Sequence, residues 1–399
     1  MGDEAAFLYS RKCFCKILNV RGDNKMKKLP FYTALFMGLF LFLFYSCHSQ
    51  KEEWKGEIQE ENGTTVVHNP KTPLYEGDVF HLEEDLVIGE SEGPEEYMFS
   101  EAIDMDIDPE ENIYVLDSKE THIKVFDKQG AFLKTIGQKG QGPGEMQSAR
   151  NLSITPNKEI MVNDTSAGAL HFFSLDGKYL KSTNLKGLLW FLKPVADSQN
   201  HIVANYTVWE QTATGYLKIF NPDMTEKKTL YSYTIAQYPV VNPFFAQCFW
   251  QIDKHDHIIW GYNGIYEIRF LKPDGSLFMK ITKEYDPIKI TEEEKEDFIK
   301  SNYGEEGPPP GIKISWDSHH NPFIYLSVDD EGRVFVRTYK KAPNSQYYSD
   351  VFSSQGKYIA KIPLEHRPRV WKKNKLYVIS EDEEGYQQVR RFTVSWKLD

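Results

Sequence analysis

The sequence predicts an all-β protein, a six-bladed β-propeller of four-stranded antiparallel blades that is closed by an N-terminal strand. Apolar β-type runs of similar pattern recur at intervals of 42 to 76 residues, and they begin at Ile113, Ile160, Ile202, Ile258, Val334 and Leu376. Repeats of about 40 to 50 residues with four strands each are typical of propeller blades. A single four-stranded sheet cannot bury both faces, whereas sheets stacked around an axis cover one another, which explains runs that are apolar at consecutive positions.

The N-terminal segment has the order of parts that an export signal requires. Basic residues at 25–28 precede an apolar run that ends at Ser46, and Cys47 follows directly. We therefore assign residues 1–46 to an upstream extension and a signal peptide, and we expect translation to start at Met26.

The cysteine after this run resembles the acylated cysteine of bacterial lipoproteins. The resemblance implies that Cys47 becomes the new N-terminus and carries the acyl chains that hold the protein to a bacterial membrane. The alternative is an uncleaved transmembrane anchor, although the apolar run is shorter than the roughly 20 residues that a spanning helix needs. In both cases we expect the domain to be exported and to face the periplasm or the cell exterior.

Residues 47–74 are predicted to form a polar tether between the membrane and the folded domain. The stretch 49–63 is polar and charged, as is usual for a linker. Val66 and Val67 mark the approach to the propeller, which we place at residues 75–399.

The first complete unit, residues 99–146, holds four β-type runs in succession, AIDMDID, NIYVLD, HIKVFD and AFLKTIG, with turn signals between them. Asp117 and, in the second unit, Asp164 end their strands before a turn. An aspartate at this position normally accepts hydrogen bonds from backbone N–H groups of the turn. We therefore expect both carboxylates to be structural.

The later units keep the turn before the fourth run, but one of them is longer. A glycine turn occurs in four units, at Gly130, Gly177, Gly275 and Gly356. The interval before the fifth unit is about 30 residues longer than its neighbours. Its extra residues include a capping box at Thr291 and Glu294 and a glycine stop at Gly304, which predict a helical insert at about 291–311.

The last unit lacks a fourth run, because the chain ends shortly after the sequence RRFTVSW. The run VFHLEEDLVIGE at 79–90 has the character of a lone fourth strand. If it completes the last blade, the ring closes and no sheet edge is left free. This is the basis for predicting six blades closed by an N-terminal strand.

Composition and charge exclude several classes of protein. An apolar content of 40% is ample for a core and too high for a disordered chain. The net charge is −11, and no basic helix or arginine-rich run offsets it, so nucleic acid is excluded as a partner. Of the four cysteines, only Cys47 and Cys248 remain after removal of residues 1–46, which provides neither a disulfide framework nor a metal-binding cysteine pair.

The first unit resembles the NHL-repeat group, and especially the exported six-bladed propeller lipoproteins of bacteria. The matching residues are Tyr114, Val115 and Asp117, then Val125, Phe126, Asp127 and Gly130, and the loop residues Gly140, Gly142, Pro143, Gly144 and Glu145. The resemblance implies the propeller fold and a cell-surface setting. Its relatives include binding modules and enzymes, so it does not imply a particular function.

Ligands of propellers usually bind at the end of the channel where the innermost strands begin. Alignment of the first five units at this position selects Asp104, Asn151, Lys193, Phe249 and Tyr325. The sixth strand places Arg369 nearby, and Arg150 adjoins Asn151, which gives seven candidate ligand-binding residues. A pocket that mixes cations, a carboxylate and aromatic rings suits a polar organic ligand. The alternative is that these residues line a hydrated channel and have no ligand.

Metal and nucleophile chemistry find little support in the sequence. Lactonase-like propellers hold a divalent ion with ligands from several blades, but here only Asp104 and Asn151 qualify, and Lys193 would oppose a cation. His319 and His320 are predicted to lie in a surface loop. No G-x-S-x-G or H-E-x-x-H motif occurs. We therefore expect no metal, no cofactor and no catalytic residue.

These observations predict a monomeric, membrane-tethered binding or scaffold module for a protein, peptide or glycan partner of the envelope. The alternative is an exported enzyme, a lyase or a lactonase-like hydrolase, with its site at the channel mouth.

Overall fold

The computed structural model describes residues 53–187, 191–210, 212–237 and 239–398. The upstream extension, the signal sequence and Cys47 lie outside these ranges. Within them, no helix is long and apolar enough to span a membrane. The described residues are almost entirely β-structure, as predicted.

Thirty strands and one α-helix account for most of the regular structure in these ranges. In chain order they are β1 (Glu57–Glu61), β2 (Thr64–Asn69), β3 (Phe80–Ile88), β4 (Ala102–Ile107), β5 (Ile113–Asp117), β6 (His122–Phe126), β7 (Phe132–Ile136), β8 (Gln138–Lys139), β9 (Glu145–Met146), β10 (Ala149–Ile154), β11 (Glu159–Asp164), β12 (Ala169–Ser174), β13 (Tyr179–Asn184), β14 (Phe191–Ala196), β15 (Ile202–Trp209), β16 (Thr212–Phe220), β17 (Glu226–Gln237), β18 (Val240–Val241), β19 (Cys248–Ile252), β20 (Ile258–Tyr262), β21 (Glu267–Leu271), β22 (Leu277–Lys283), α1 (Glu292–Tyr303), β23 (Lys313–Ile314), β24 (Tyr325–Val328), β25 (Val334–Lys341), β26 (Tyr347–Phe352), β27 (Tyr358–Leu364), β28 (Val370–Lys372), β29 (Lys375–Glu381) and β30 (Gln387–Trp396). A 3₁₀ turn covers Glu95–Tyr97.

These strands form six antiparallel blades in which four strands lie side by side. Blades 1 to 6 consist of β4–β7, β10–β13, β14–β17, β19–β22, β24–β27, and β28–β30 followed by β3. The first strands of neighbouring blades contact one another, as β4 does with β10 and with β28. They are therefore the innermost strands, and the predicted six-bladed propeller is confirmed.

The ring closes between the two ends of the folded chain. β3 pairs antiparallel with β30, from Phe80 opposite Trp396 to Ile88 opposite Val389. An N-terminal strand thus serves as the outermost strand of the last blade, as the missing fourth run of the sixth unit predicted.

The predicted tether is too long, because residues 57–69 are folded. β1 and β2 form a hairpin, and β2 adds to the outer edge of blade 4 in parallel with β22. Val66 and Val67 are completely buried, and the Trp54 indole N–H donates to Asn69 Oδ1 at 3.1 Å. The hairpin escaped prediction because β1 is exposed on the outside of the sheet and therefore has the composition of a linker.

The helical insert is confirmed, with one correction. The Thr291 side chain accepts from the backbone N–H of Glu294, and α1 ends at Tyr303 with Gly304 as its C-cap. His320, which we expected in a surface loop, is buried. Its ring stacks on Tyr339 at 4.0 Å between centroids and lies 3.0 Å from the Glu294 carboxylate, so it fixes the helix to blade 5.

Candidate functional site at the central channel

The innermost strands surround a central channel with a volume of about 630 Å³. Four of the seven candidate residues line it, namely Asp104, Asn151, Lys193 and Arg369. They come from blades 1, 2, 3 and 6, so residues far apart in the sequence meet around the axis.

Asp104 and Asn151 also have a structural task. Asp104 Oδ2 accepts from the Leu152 backbone N–H at 3.1 Å, and Asn151 Oδ1 accepts from the Lys193 backbone N–H at 3.2 Å. Each side chain thus satisfies a donor on the exposed inner edge of the next blade, where no further strand can pair. Asp106 does the same for Ile154 at 2.7 Å.

Two of the candidate cations, Lys193 and Arg150, lie where the strand pairing is irregular. The pairing of β14 with β15 breaks between Leu192 and Val195, and Lys193 has a left-handed backbone with a φ of 50°. The pairing of β10 with β11 breaks around Arg150, which is exposed to solvent. Bulges of this kind turn a side chain away from its regular direction and are frequent next to functional sites.

Tyr325 is the centre of a compact cluster at the end of the channel where the inner strands begin. Its ring is buried, and its hydroxyl donates to the Pro368 carbonyl at 3.0 Å. Arg367 stacks on the ring with Cζ 3.9 Å from the centroid, and Lys193 Nζ lies 5.8 Å from the same centroid. Phe249 lies edge-on at 6.4 Å. We call this end, with Lys193, Tyr325, Arg367 and Arg369, the channel mouth.

Sequence reasoning missed Arg367. It lies before the strand, in the loop between β27 and β28, and has no counterpart in the repeat. The available signal was its sequence context, because Arg367 and Arg369 flank Pro368 in the segment that leads into the innermost strand of blade 6.

The mouth shifts the ionisation of its acidic groups in opposite directions. Burial alone would raise the pKa of the Tyr325 phenol, but the positive charges of Lys193, Arg367 and Arg369 outweigh it and lower the pKa. For Asp104 burial prevails and raises the pKa, although the Leu152 N–H and the nearby cations oppose it. Deeper in the channel, burial raises the pKa of Asp106 to about 6.

The opposite end of the inner strand is occupied by a structural turn in blades 1 to 5. An aspartate or threonine side chain there accepts from the backbone N–H four residues later at 2.8 to 3.2 Å, and these residues are Asp108, Thr155, Asp197, Asp253 and Asp329. Asp117 and Asp164 accept backbone N–H groups of the turns that follow their strands, as predicted, and they also accept N–H groups of the loops before the inner strands. These carboxylates are committed to the backbone.

The channel is poorly suited to a metal ion. The described residues contain no group of three histidine, cysteine or acidic side chains close enough to hold one. The nearest charges to Asp104 include the cations Arg369 and Lys193, which oppose a metal. Cys248 is buried, which raises the pKa of its thiol and keeps it protonated.

Six four-stranded blades around a polar channel define the protein as a six-bladed β-propeller. The model of the DUF5128 family, described as a six-bladed β-propeller, matches residues 109–271. The sequence matches no curated protein at a significant level.

The chain is similar to several solved structures, and the first of them supports the propeller architecture. A Bacteroides fragilis protein described as exported has a TM-score of 0.53 and 14% identity, with 83% of this chain and 99% of that chain covered. A DUF4221-family protein of Bacteroides vulgatus has a TM-score of 0.49 and 11% identity over 80% of this chain and 99% of that one. Virginiamycin B lyase of Staphylococcus aureus has a TM-score of 0.42 and 11% identity over 79% and 99%. At such identities the likeness concerns the fold alone.

Proposed function

We propose that this chain is an exported, envelope-tethered binding module that takes a polar group of a peptide or glycan partner at the channel mouth. The observation that carries the proposal is the meeting of Lys193, Tyr325 and Arg369, from three different blades, at one end of an open channel. Tethering at the envelope is supported by the basic and apolar segments that precede Cys47.

The size and lining of the channel support a ligand site. Ligand pockets typically have volumes of roughly 300 to 1,000 Å³ and contain a few convergent polar groups, and the channel volume of about 630 Å³ falls in this range. Asp104 and Asn151 present polar atoms to the same space while they hold the next blade. The alternative of a hydrated channel would not explain why a strained lysine is placed at its mouth.

The test is a binding screen of the purified full chain on peptide and glycan arrays. Ligands retained by the wild type should be lost with Arg369→Glu at the mouth and kept with Lys254→Glu, which makes the same charge change at the opposite end of the channel. Both residues are exposed, so neither change disturbs the core. Absence of any retained ligand, or equal binding by both variants, contradicts the proposal.

An enzyme is the second candidate, and Tyr325 is the observation in its favour. A phenol whose pKa is lowered by neighbouring cations is suited to accept a proton from a substrate. A lyase or hydrolase acting at the mouth should lose turnover with Tyr325→Phe while the protein stays folded. Turnover that persists in this variant, or its absence over a broad set of lactones, glycans and peptides, removes this alternative.

A further inference from the structure

The cations of the channel mouth lack acidic partners. Acidic residues outnumber lysine and arginine by 58 to 47 in the chain, and ion pairs are common in its described part. In the neighbouring strand β30, for example, Arg391 pairs with Asp85 at 2.7 Å. Among the same described residues, Lys193, Arg367 and Arg369 have no carboxylate within the 4.0 Å of an ion pair.

A fourth cation lies on the strand next to Tyr325, with its guanidinium 4.9 Å from the centre of the Tyr347 ring. Arg337 pairs with Tyr325 across β24 and β25. Its Nη2 donates to the Glu365 carbonyl at 3.2 Å, whereas its Nη1 is buried and has no hydrogen-bond partner in the described part of the chain. Buried donors are normally satisfied, so an unsatisfied guanidinium N–H needs an explanation.

Such an arrangement is unfavourable unless an anion binds. Like charges held close together repel one another, and this repulsion, although solvent screens it in part, raises the free energy of the mouth when no anion is bound. In a protein with a net charge of −11, acidic side chains are abundant enough to neutralise the mouth. Asp104 is close enough to Arg369 and Lys193 to feel their charges but forms an ion pair with neither, so one carboxylate faces three cations and positive charge remains open to a ligand.

We infer that the mouth binds a carboxylate group, presented by an acidic sugar or an acidic peptide, between Lys193, Arg367 and Arg369. The inference rests on the proposed function and specifies its ligand. Planar guanidinium groups match the two oxygens of a carboxylate. The Tyr325 hydroxyl already donates to Pro368, so the cations are the donors that remain.

The surroundings favour a single negative charge over a polyanion. Asp104 lines the channel beside the mouth, and the protein as a whole repels densely charged chains such as nucleic acid. A ligand with one carboxylate and no other charge binds the cations with the least repulsion from Asp104 and from the acidic protein surface.

The experiment is calorimetric titration of the full chain, purified in mild detergent, with two matched pairs of probes. One pair is a trisaccharide with a single galacturonate residue and neutral trigalactose, and the other is a terminally blocked tripeptide with a single glutamate and the same peptide with glutamine in its place. We expect the acidic member of at least one pair to bind more than about tenfold tighter than its neutral partner, because a charged hydrogen bond contributes about 1.5 to 3 kcal/mol. The pair that responds identifies the source of the carboxylate.

Variants then place the binding at the mouth. Arg369→Gln and Arg367→Gln, both at exposed positions, should lower the affinity for the acidic probe by about 10- to 100-fold. Lys254→Gln, at the opposite end of the channel, should change the affinity less than about twofold. Thermal melts of each variant confirm that the fold is retained.

The outcomes separate this inference from the proposed function. Equal binding of acidic and neutral probes, or weakening by Lys254→Gln alone, overturns the carboxylate inference. If neutral array ligands bind at the mouth but no acidic probe does, the inference fails and the proposed function stands. If nothing binds at the mouth, both fail.

Discussion

The carboxylate of Asp85 in β3 accepts a hydrogen bond from the guanidinium of Arg391 in β30, with Oδ1 and Nε 2.7 Å apart. The other oxygen of Asp85 accepts from Thr393 at 3.0 Å and forms an ion pair with Lys375. One acidic side chain of the N-terminal strand therefore joins three residues of the C-terminal strands, at the seam where the ring closes.

Replacing Asp85 by asparagine should weaken this seam. We expect Asp85→Asn to lower the free energy of unfolding at pH 7 by about 1 to 2 kcal/mol. Solvent screens the charges of this partly exposed network only in part, so its hydrogen bonds contribute more than those of a fully exposed ion pair. Urea denaturation measures the change, and the exposed Glu83→Gln in the same strand is the control. Equal stability of Asp85→Asn and the control contradicts a role in closure.

The contribution of Asp85 should also depend on pH. Burial alone would raise the pKa of its carboxyl, but hydrogen bonds from Arg391 and Lys375 outweigh it and lower the pKa. A lowered pKa stabilises the folded state above the unfolded pKa of about 4, and this stabilisation is lost as the pH falls through the folded value. The difference between wild type and Asp85→Asn should therefore disappear in acid. A difference that persists unchanged at pH 2 to 3 would contradict this reading.

The N-terminal hairpin should contribute to the core. Val67 is completely buried against blades 4 and 5, whereas Ile58 in the same hairpin is 48% exposed. We expect Val67→Ala to cost about 2 kcal/mol, since it removes buried methyl groups and leaves a cavity, and Ile58→Ala to cost less than about 0.5 kcal/mol. Urea denaturation of the two variants compares them directly. Similar losses of unfolding free energy in the two variants would mean that the hairpin does not contribute to the core.

Asp106 should make the protein less stable as the pH rises. Burial raises the pKa of this carboxyl to about 6, so the folded state holds the proton more tightly than the unfolded state does. Stability that this group provides at low pH is lost between about pH 4 and pH 6. Asp106→Asn retains an acceptor for the Ile154 N–H, and we expect it to be about 2 to 3 kcal/mol more stable than wild type at pH 7 and equal to it near pH 3. Parallel pH profiles of melting temperature for the two proteins would refute this.

Asp350 should be among the most sensitive core positions. It accepts hydrogen bonds of 2.7 Å from the hydroxyls of Tyr266 and Tyr358 and lies 3.4 Å from Lys283 Nζ, and the charged pair is almost wholly buried. Asp350→Asn leaves the lysine without its closest counter-ion, so we expect a loss of about 3 to 5 kcal/mol. The double variant Asp350→Asn with Lys283→Met should recover part of it, because it removes the buried ammonium while the amide oxygen still accepts from a tyrosine hydroxyl. A single-variant loss below about 1 kcal/mol would be at odds with this account.

The fold could be predicted because the same sequence pattern recurs in every blade. Each blade needs the same succession of apolar runs and turns, so six imperfect copies identify the architecture even where single motifs are weak. The closing strand was predictable for a similar reason, since the last unit lacks a strand and 79–90 supplies one. The β1–β2 hairpin belongs to no repeat, and its exposed strand has the composition of a linker.

The candidate site could be predicted only in part. Lys193, Tyr325 and Arg369 occupy equivalent positions of inner strands, so alignment selected them. Arg367 precedes its strand, and its place on the Tyr325 ring depends on the path of a loop. That Asp104 and Asn151 each support the next blade is a relation between blades, which a single repeat does not contain.

The pairing of β3 with β30 joins residues that lie about 300 positions apart in the chain, as Asp85 and Arg391 do. Contacts of such long sequence separation form late and slowly during folding, because a long loop must be ordered first. During synthesis, β3 is made early and has no pairing partner until β30 (Gln387–Trp396) has been made. Loss of the C-terminal segment would therefore remove the partner of β3, and it would leave two unpaired edges that invite association between molecules.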